Sequence, residues 1–383
     1  MGTAYTPGLK VSADTDIEKI RRLPLQGEVL VKEGDEVFAD TIVARTELPG
    51  LMQTIRLADR LGIPPGELKD ALTVQIGDAV QNGTLLARTK GLFGRFFKSE
   101  YHSVTAGTVE MVSLTTGHLG IREAPLPVER TAYIKGRITQ VMPKEGVTVA
   151  CRGALIQGIF GVGGERQGEI TIASGNPQEV LIPSKLNESQ RGKVVVGGSC
   201  ITPEALRYAA QLNIAGIICG GIIDRDLMDY LAEALEQPGY DIGVAITGQE
   251  AIPFSLILTE GFGNIPMADR TFNLLKSLEG KTASINGATQ IRAGVIRPEL
   301  VAPLEGSRSE KEVKSVSSGD MDNGSLIRLI RAPYFGLTAV VTELPTALEK
   351  LDSGAVVRVL RAQLDDGQIV TVPRANVELI ETS

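Results

Sequence analysis

The residues best suited to chemistry lie at three glycine-rich junctions in the middle of the chain. Each junction follows an apolar run typical of a buried strand, and each precedes a segment that could start a helix. Glycine lets a ligand approach main-chain N–H groups closely, and helix N-termini favour anions. The pattern predicts a cleft for an anionic ligand, lined by Gly197, Gly198, Ser199, Gly220, Gly221, Asp224, Glu260, Gly261 and Gly263.

The same junctions also fit a purely structural interpretation, in which glycine only makes tight strand–helix turns. None of them matches GxGxxG or GxxxxGK[ST], and no lysine follows the turns as phosphate binding would require. Glu260 lies between an apolar strand and two glycines. This position is equally compatible with a functional carboxylate, a turn residue or a helix cap. Arg292, in a further glycine-rich segment, could clamp a carboxylate or phosphate, or could pair with a surface glutamate.

The histidines and cysteines argue against the common metal centres. His102 and His118 are the two histidines, which excludes a histidine-rich site but leaves open a Mg²⁺ site made of carboxylates. Cys151, Cys200 and Cys219 show no CxxC spacing, and their odd number does not suggest a disulfide framework. We expect no metal and no cofactor. The sequence identifies no catalytic residue, so it does not decide whether the protein is an enzyme.

Alternating strand and helix signals position the junctions. KVVVGGS leads into a helix with Thr202 as N-cap and Pro203 at its first position, and AGIICGG leads into a helix capped by Asp224. The strand-like runs DIGVAIT and FSLILTEG follow, and a third helix starts after Pro266. Continuous apolar strands that alternate with helices predict a small parallel α/β sheet, preceded by a β-rich segment over residues 131–183.

A fifteen-residue pattern occurs twice near the start of the chain. Residues 30–44 read LVKEGDEVFADTIVA, and residues 73–87 read TVQIGDAVQNGTLLA. Superposing Gly34 on Gly77 aligns Asp35 with Asp78. Glycine supplies a positive φ and aspartate hydrogen-bonds its own turn, so each copy predicts a hairpin. Two such copies predict a β-rich domain built from similar halves.

With the segment HSVTAGTVEMVSLTTGHLGIRE at 102–123, these copies resemble the barrel-sandwich hybrid of biotinyl and lipoyl carrier domains. They resemble still more the versions in RNA polymerase large subunits and RnfC-type membrane redox complexes. Carrier domains present a modifiable lysine at a hairpin tip, which would fall near Gly50 or Phe93. Neither residue is lysine, and Lys90 lies three residues early. The resemblance therefore implies the fold without a biotin or lipoate.

The C-terminal part of the chain begins with a polar stretch. Residues 304–325 are rich in Ser, Gly and charge, which predicts a flexible linker. After it, LIRLIRAPYFGLTAVVTELP resembles a KOW motif, with Pro333-Tyr334-Phe335-Gly336 as its turn. Ala332 and Ala339 stand where the family usually has glycine. The segment and a later hairpin across Asp366-Gly367 predict an SH3-like barrel over residues 326–383.

KOW modules of ribosomal proteins and elongation factors bind RNA or polymerase, while SH3-like barrels also dock proteins. The resemblance thus implies partner-binding residues on this module. The candidates are Arg328, Arg331, Tyr334, Phe335, Arg358, Arg361 and Arg374. Arg328 and Arg331 are three apart along a strand and point to opposite faces, so a single basic stripe is not assured.

The chain of 383 residues carries a net charge of −7, which argues against broad nucleic-acid binding and against DNA as a partner. It has no run of about 20 apolar residues and no secretory signal pattern, so we expect no membrane insertion and a cytoplasmic location. The expected architecture is multidomain and combines all-β and α/β parts. It comprises a barrel-sandwich hybrid (1–130), a β-rich plus α/β domain (131–303), a linker (304–325) and a KOW-like barrel (326–383).

Three functions are compatible with this sequence. The leading hypothesis is a non-catalytic adaptor or accessory subunit that docks onto a larger cytoplasmic assembly through a protein partner. The second is an enzyme or small-ligand sensor that binds an anion in the glycine-lined cleft. The third is an RNA- or transcription-linked factor that acts through residues 326–383. Thermal stabilisation by a ligand would favour the second, and steeply salt-dependent RNA binding would favour the third.

Overall fold

β-Strand is the main secondary structure of the described residues. The computed structural model describes residues 9–89, 99–237, 247–290, 296–304, 321–329, 333–334, 337–351, 354, 356–364 and 366–379. Strand accounts for 46% of the described residues and helix for 16%, which confirms the predicted β-rich character. The expected barrel-sandwich and KOW domain types stay predictions.

The N-terminal part consists of two nested units. The first unit begins with β1 (Val11–Arg22), β2 (Glu28–Val29), β3 (Glu36–Val37) and β4 (Ile42–Leu48). The second unit contains β5 (Met52–Ile55), α1 (Leu57–Leu61), a 3₁₀ turn (Pro65–Glu67), α2 (Leu68–Ala71), β6 (Ala79–Val80), β7 (Leu85–Arg88), β8 (Glu100–His102), β9 (Gly107–Ser113) and β10 (His118–Arg122). The first unit then resumes with β11 (Leu126–Thr131), β12 (Gly136–Met142) and β13 (Gly146–Gln157).

The repeated Gly-Asp turn has the same structure in both units. In the first, Asp35 Oδ2 accepts a hydrogen bond from the Lys32 N–H at 2.8 Å. In the second, Asp78 Oδ2 accepts one from the Gln75 N–H at 2.7 Å. The glycine before each aspartate has a positive φ, +91° in the first copy and +97° in the second. The sequence repeat therefore marks a repeated hairpin, as predicted.

The correspondence between the units extends beyond the repeated sequence. The pairing of Gly136 with Val37 in the first unit matches the pairing of Gly107 with Val80 in the second. Likewise, β4 pairs with β11 as β7 pairs with β8. Residues 49–125 thus separate two strands that are neighbours in the first unit. The second unit is inserted into the first between β4 and β11.

This insertion occupies the hairpin tip where a carrier lysine would lie in the first unit. A Cβ built on Gly50 would overlap the carbonyl oxygen of Glu123, because the two connecting segments run side by side there. The equivalent tip of the second unit lies between Arg88 and Glu100. Lys90 and Phe93 lie outside the described residues.

A large mixed sheet carries the middle of the chain. Its further strands are β14 (Phe160–Val162), β15 (Glu165–Ile172), β16 (Val194–Val196), β17 (Gly216–Ile222), β18 (Ser255–Phe262), β19 (Thr282–Asn286) and β20 (Glu299–Pro303). The order is β14-β18-β17-β16-β15-β19-β20-β13-β12-β3, with β1 also paired to β13. This sheet therefore joins residues on both sides of the boundary expected at residue 130.

Four of these strands are parallel, and three of them, β16, β17 and β18, belong to the predicted α/β part. β15, β16, β17 and β18 pair in parallel, whereas β14 and β19 add antiparallel neighbours on the two sides. The sheet is therefore mixed and not purely parallel, because β15 is long enough to pair with β19 along its first half and with β16 along its second. Helices α3 (Pro203–Gln211), α4 (Asp224–Ala234) and α5 (Asp269–Ser277) connect or follow the parallel strands. Two short 3₁₀ turns, Pro183–Lys185 and Glu188–Gln190, precede β16.

The helix starts agree with the sequence at one position and differ at another. Thr202 is the N-cap of α3, and its side chain accepts a hydrogen bond from the Ala205 N–H. At α4 the N-cap position belongs to Ile223, so the predicted cap Asp224 is instead the first helical residue. Its Oδ1 accepts from the neighbouring Arg225 N–H, a local bond that shifts the boundary by one residue. Residues 241–246 of the predicted strand DIGVAIT lie outside the described residues.

The C-terminal module has its own sheet and core. Its strands are β21 (Leu326–Leu329), β22 (Thr338–Glu343), β23 (Leu348–Lys350), β24 (Val356–Leu364), β25 (Ile369–Pro373) and β26 (Val377–Leu379), with a 3₁₀ turn at Arg374–Asn376. The order is β23-β24-β22-β21-β26, and β25 pairs with β24. The predicted hairpin turns at Gly367, where φ is +86°. Residues 305–320 of the expected linker lie outside the described residues.

Candidate functional site

The three glycine-rich junctions meet at one edge of the parallel strands, as the sequence predicts. Gly221 is in register with Gly261, and Cys200 forms a parallel bridge to Gly221. Gly197 follows β16 and lies against Cys219 of β17. The carboxyl ends of neighbouring parallel strands share one edge, which explains the convergence.

The glycines at this edge face the protein's own main chain. A Cβ on Gly198 would overlap the carbonyl oxygen of Glu179, and one on Gly220 would overlap that of Ile265. A Cβ on Gly221 would overlap the carbonyl oxygen of Gly263. The space that a ligand would need is thus filled by the loops that follow the strands. This geometry agrees with the structural interpretation of the junctions, in which glycine permits close packing.

Ser199 and Asp224 are bonded within the chain. Ser199 is 1% exposed, and its Oγ donates to the Gln178 carbonyl at 2.9 Å. Asp224 is exposed and accepts from the main chain of its own helix. Gly261, near the end of β18, and Gly263, just after it, have φ values of +110° and +124°, a backbone conformation that favours glycine. These four residues therefore have structural partners or conformational roles.

Glu260 is the exception, because it joins two parts of the chain. It is 6% exposed, its Oε1 accepts from the Ala268 N–H at 3.1 Å, and its Oε2 forms an ion pair with Arg328 Nη1. The Arg328 side chain is 9% exposed and belongs to β21 of the C-terminal module. The best acidic candidate of the sheet edge thus binds a candidate partner-binding arginine. No sequence pattern indicated this pairing.

The other basic candidates of the C-terminal module differ in their surroundings. Arg361 pairs with Glu343 at 2.7 Å and with Glu349 at 3.1 Å. Arg374 donates to the carbonyl oxygens of Val359 and Pro345 at 3.1 and 2.9 Å. Two charged candidates therefore have partners within their own module.

Arg358 and Tyr334 are the remaining described partner-binding candidates of the C-terminal module. Arg358 is exposed, whereas Tyr334 is partly buried against the core of the module. Arg292, Arg331 and Phe335 lie outside the described residues. With Arg328 turned into the α/β sheet edge, the described arginines do not form one continuous basic face.

A groove that the sequence did not reveal opens in the large sheet. Along one edge, β13 pairs first with β12, over Gly146–Ala150, and then with β20, over Gly153–Gln157. β12 and β20 diverge near Cys151, between these two ranges. The groove at this split measures about 1240 Å³. Its lining residues are Glu36–Asp40, Lys135, Gly136, Arg137, Ala150, Cys151, Arg152, Gln167, Lys281, Thr282, Ala283, Ser284, Pro303 and Leu304.

Cationic side chains outnumber anionic ones in the groove. Lys135, Arg137 and Lys281 are exposed along it, and Lys135 Nζ lies 6.0 Å from the ring centroid of Phe38. Arg152 also lines the groove and pairs with Asp14. The acidic lining residues are Glu36 and Asp40. The groove is therefore a locally basic surface on a chain that is acidic overall.

Beside the groove lies a partly buried polar cluster, in which Arg21 and Tyr133 are buried and Glu165 is exposed. Arg21 donates to both oxygens of Glu165 at 2.7 and 2.6 Å, and Lys19 Nζ donates to Glu299 at 2.6 Å. The Arg21 guanidinium lies 5.4 Å from the ring centroid of Tyr133, whose buried hydroxyl interacts with the Glu299 carboxylate. No sequence pattern indicated this cluster, because its members are scattered from residue 19 to residue 299.

Burial controls the proton affinity of two groups near the groove. Burial raises the pKa of Tyr133 well above its ordinary range, and the carboxylates of Glu299 and Glu165 add to that effect. Burial also raises the pKa of the Cys151 thiol to about 11, against a smaller opposing effect of Lys19. Both groups therefore stay protonated near neutral pH, so Tyr133 can donate and Cys151 is a poor nucleophile.

Within the described ranges, no three His, Cys, Asp or Glu side chains are grouped as a metal site would need. No helix in that part of the chain is long and apolar enough to cross a membrane. No protein-family model, curated protein or solved structure matches this chain.

Proposed function

We propose that the protein is a non-catalytic, cytoplasmic adaptor that binds a protein partner and docks onto a larger assembly. The observation that carries this proposal is the closure of the α/β sheet edge by the chain itself. Loops fill the space around Gly198, Gly220 and Gly221, and Arg328 neutralises Glu260. The position where such sheets usually bind ligands is used here to hold the C-terminal module.

A buried ion pair is well suited to fixing the orientation of two modules. Its net contribution to stability is small when both partners are present, because desolvation offsets the Coulomb attraction. Removing one partner is costly, since the other charge stays buried without compensation. The pair between Glu260 and Arg328 therefore specifies one docked arrangement. That arrangement leaves the other faces of the C-terminal module available.

The C-terminal module presents apolar side chains on those faces. Val340 and Ile369 are 41% and 60% exposed, and both are in register with Gln363 of the strand between them. Leu348 and Val356, on β23 and β24, are 60% and 58% exposed. Contiguous exposed apolar patches mark protein-binding surfaces, and these side chains are our candidates for one on this module. We assign the partner contact to this module.

Co-purification from the source lysate at moderate salt tests the proposal. Three forms would be compared, namely the full chain, a chain ending at Pro303, and the full chain with Val340→Ser and Ile369→Ser. A specific protein complex should form with the full chain and be lost or weakened in the other two. Thr371→Ser, on an exposed strand position of the same sheet, is the matched control and should retain the complex.

The alternatives make different predictions in the same experiment. Recovery of RNA in place of protein, with loss on Arg358→Glu, would replace the adaptor proposal by RNA binding. Absence of a specific partner from all forms would refute the adaptor proposal.

A further inference from the structure

Strand β25 (Ile369–Pro373) lies at an edge of the C-terminal sheet and pairs with β24 along one side. The Leu364 N–H donates to the Gln368 carbonyl at 2.9 Å, so these two residues form a hydrogen-bonded pair. In an antiparallel ladder, successive residues turn their main-chain groups to opposite sides. The N–H and C=O groups of Ile369 and Thr371 therefore point away from β24. Within the described residues, none of these groups has a hydrogen-bond partner.

The edge of the large sheet at β14 is closed in a way that the β25 edge is not. There the Gly161 N–H donates to Thr289 Oγ1 at 2.8 Å, and the Gly161 carbonyl accepts from Thr247 Oγ1 at 2.7 Å. The Gly163 N–H donates to Glu250 Oε2 at 2.8 Å. Side chains thus occupy the main-chain groups that another strand would bind. Covering an edge in this way prevents unwanted strand pairing.

The sequence of β25 also lacks the charges that would repel a second strand. Residues 368–373 read QIVTVP and contain no charged side chain. Val370 and Val372 are buried in the core of the module, whereas Ile369 and Thr371 are exposed. Four consecutive β-branched residues favour the extended conformation. An uncharged extended edge with open main-chain groups is a template for pairing with another chain.

We propose that β25 pairs with β25 of a second copy of this chain, antiparallel and about a two-fold axis at Val370. Ile369 then lies opposite Thr371 of the second copy, and symmetry repeats the pair, each with two main-chain hydrogen bonds. The flanking charges fit this register. Asp366 precedes the strand and Arg374 follows it, so the acidic end of each strand approaches the basic end of the other.

The pairing would extend the C-terminal sheet across two copies of the chain. A two-fold axis perpendicular to the sheet keeps the exposed faces of both copies on the same side. The apolar side chains of Val340 and Ile369 in one copy would then lie beside those of the other. This contact uses the edge of the sheet, whereas the adaptor proposal uses its exposed face. Either proposal can therefore fail without the other.

Sedimentation equilibrium of the purified full chain tests the pairing without any other protein. The mass should rise from that of one chain to that of two as the concentration increases. Thr371→Pro should give a single chain at every concentration, because it removes an outward N–H and places a ring on the edge. Proline is tolerated at such positions, since the lost N–H makes no bond to β24. Thr371→Ser keeps the N–H and should keep the dimer.

Two further variants make the result specific to this edge. Thr54 is an exposed residue of β5, an edge strand of the second unit, and it turns its N–H away from β10. Thr54→Pro should therefore leave the dimer intact. Ile369→Lys should weaken dimerisation at least about tenfold, because it brings two like charges together across the axis. Circular dichroism would check that each variant is folded.

Amide hydrogen exchange provides a second measurement on the same samples. Exchange at Ile369 and Thr371 should slow as the unsubstituted chain dimerises, since their N–H groups gain acceptors. A chain that stays single at every concentration would overturn the proposal. So would a dimer that survives both Thr371→Pro and Ile369→Lys, or one that only Thr54→Pro dissociates. If Thr371→Pro failed to fold, unchanged dimerisation in Ile369→Lys would refute pairing through β25.

Discussion

Glu260 and Arg328 form a buried ion pair between the carboxyl edge of the parallel strands and the first strand of the C-terminal module. The Glu260 carboxylate also accepts from the Ala268 N–H, so both of its oxygens are used. Two residues that the sequence assigned to separate functions, one to an anion cleft and one to partner binding, thus act on each other. The pair explains how the C-terminal module can keep one position on the α/β sheet.

Breaking this pair should release the C-terminal module. Glu260→Gln and Arg328→Met should each cost about 3–5 kcal/mol, because each leaves a buried charge unpaired. The double variant should cost less than the sum of the two. Amide hydrogen exchange in Leu326–Leu329 and Ser255–Phe262 would report the loosening locally.

The control for that prediction is Glu343→Gln. It removes one partner of Arg361 in a pair whose side chains are 33% and 59% exposed. Solvent screens such pairs, so the expected cost is at most about 1 kcal/mol. Strictly additive effects of Glu260→Gln and Arg328→Met would contradict a direct interaction.

Gly220 should be needed for packing. In Gly220→Ala the new Cβ meets the Ile265 carbonyl oxygen, and the loop that covers the sheet edge must move. Such overpacking costs about 1–3 kcal/mol, measurable by chemical denaturation. Gly66→Ala is the matched control, since its Cβ would meet nothing within 4 Å and its change should stay within about 0.5 kcal/mol. Equal effects of the two substitutions would rule out this explanation.

The two Gly-Asp turns should respond equally to mutation. Asp35→Ala and Asp78→Ala each remove an acceptor for a main-chain N–H three residues earlier. Each should lower the free energy of unfolding by about 1 kcal/mol, the usual net value of one hydrogen bond. Asp35→Asn and Asp78→Asn keep an acceptor oxygen and should lose less. A large effect at one turn with none at the other would show that the copies are not equivalent.

The Cys151 thiol should react slowly and with a characteristic pH dependence. Burial raises its pKa from 9.0 to about 11. Alkylation by iodoacetamide, followed by peptide mass spectrometry, should be about a hundredfold slower at pH 8 than for an ordinary thiol. The rate should keep rising about tenfold per pH unit up to pH 11, and a plateau near pH 9 would contradict the shift.

The same shift links Cys151 to stability. Between pH 9 and 11 the folded chain holds the thiol proton while the unfolded chain releases it. The contribution is therefore fully present below pH 9 and decreases as pH rises towards 11. Denaturation of Cys151→Ala should show a weaker decline over that range than the natural chain.

Local features of the fold were predictable because short-range chemistry determines them. The Gly-Asp repeat predicted two hairpins, and both have the positive φ and the aspartate bond that the residues imply. Thr202 was recognised as an N-cap from its position before Pro203. The neighbouring prediction at Asp224 was wrong by one residue, because a side-chain bond to the next N–H competes with capping.

The sequence by itself determined the β-rich character, the repeated hairpins, the strand–helix alternation and the convergence of the glycine junctions. Strand period, turn residues and caps act over a few positions, so they can be recognised along the chain. Only the tertiary structure decided that the second unit lies inside the first, that β13 splits between two partners, and that Glu260 meets Arg328. Such contacts depend on how distant strands pack, and no local pattern links residues 68 positions apart.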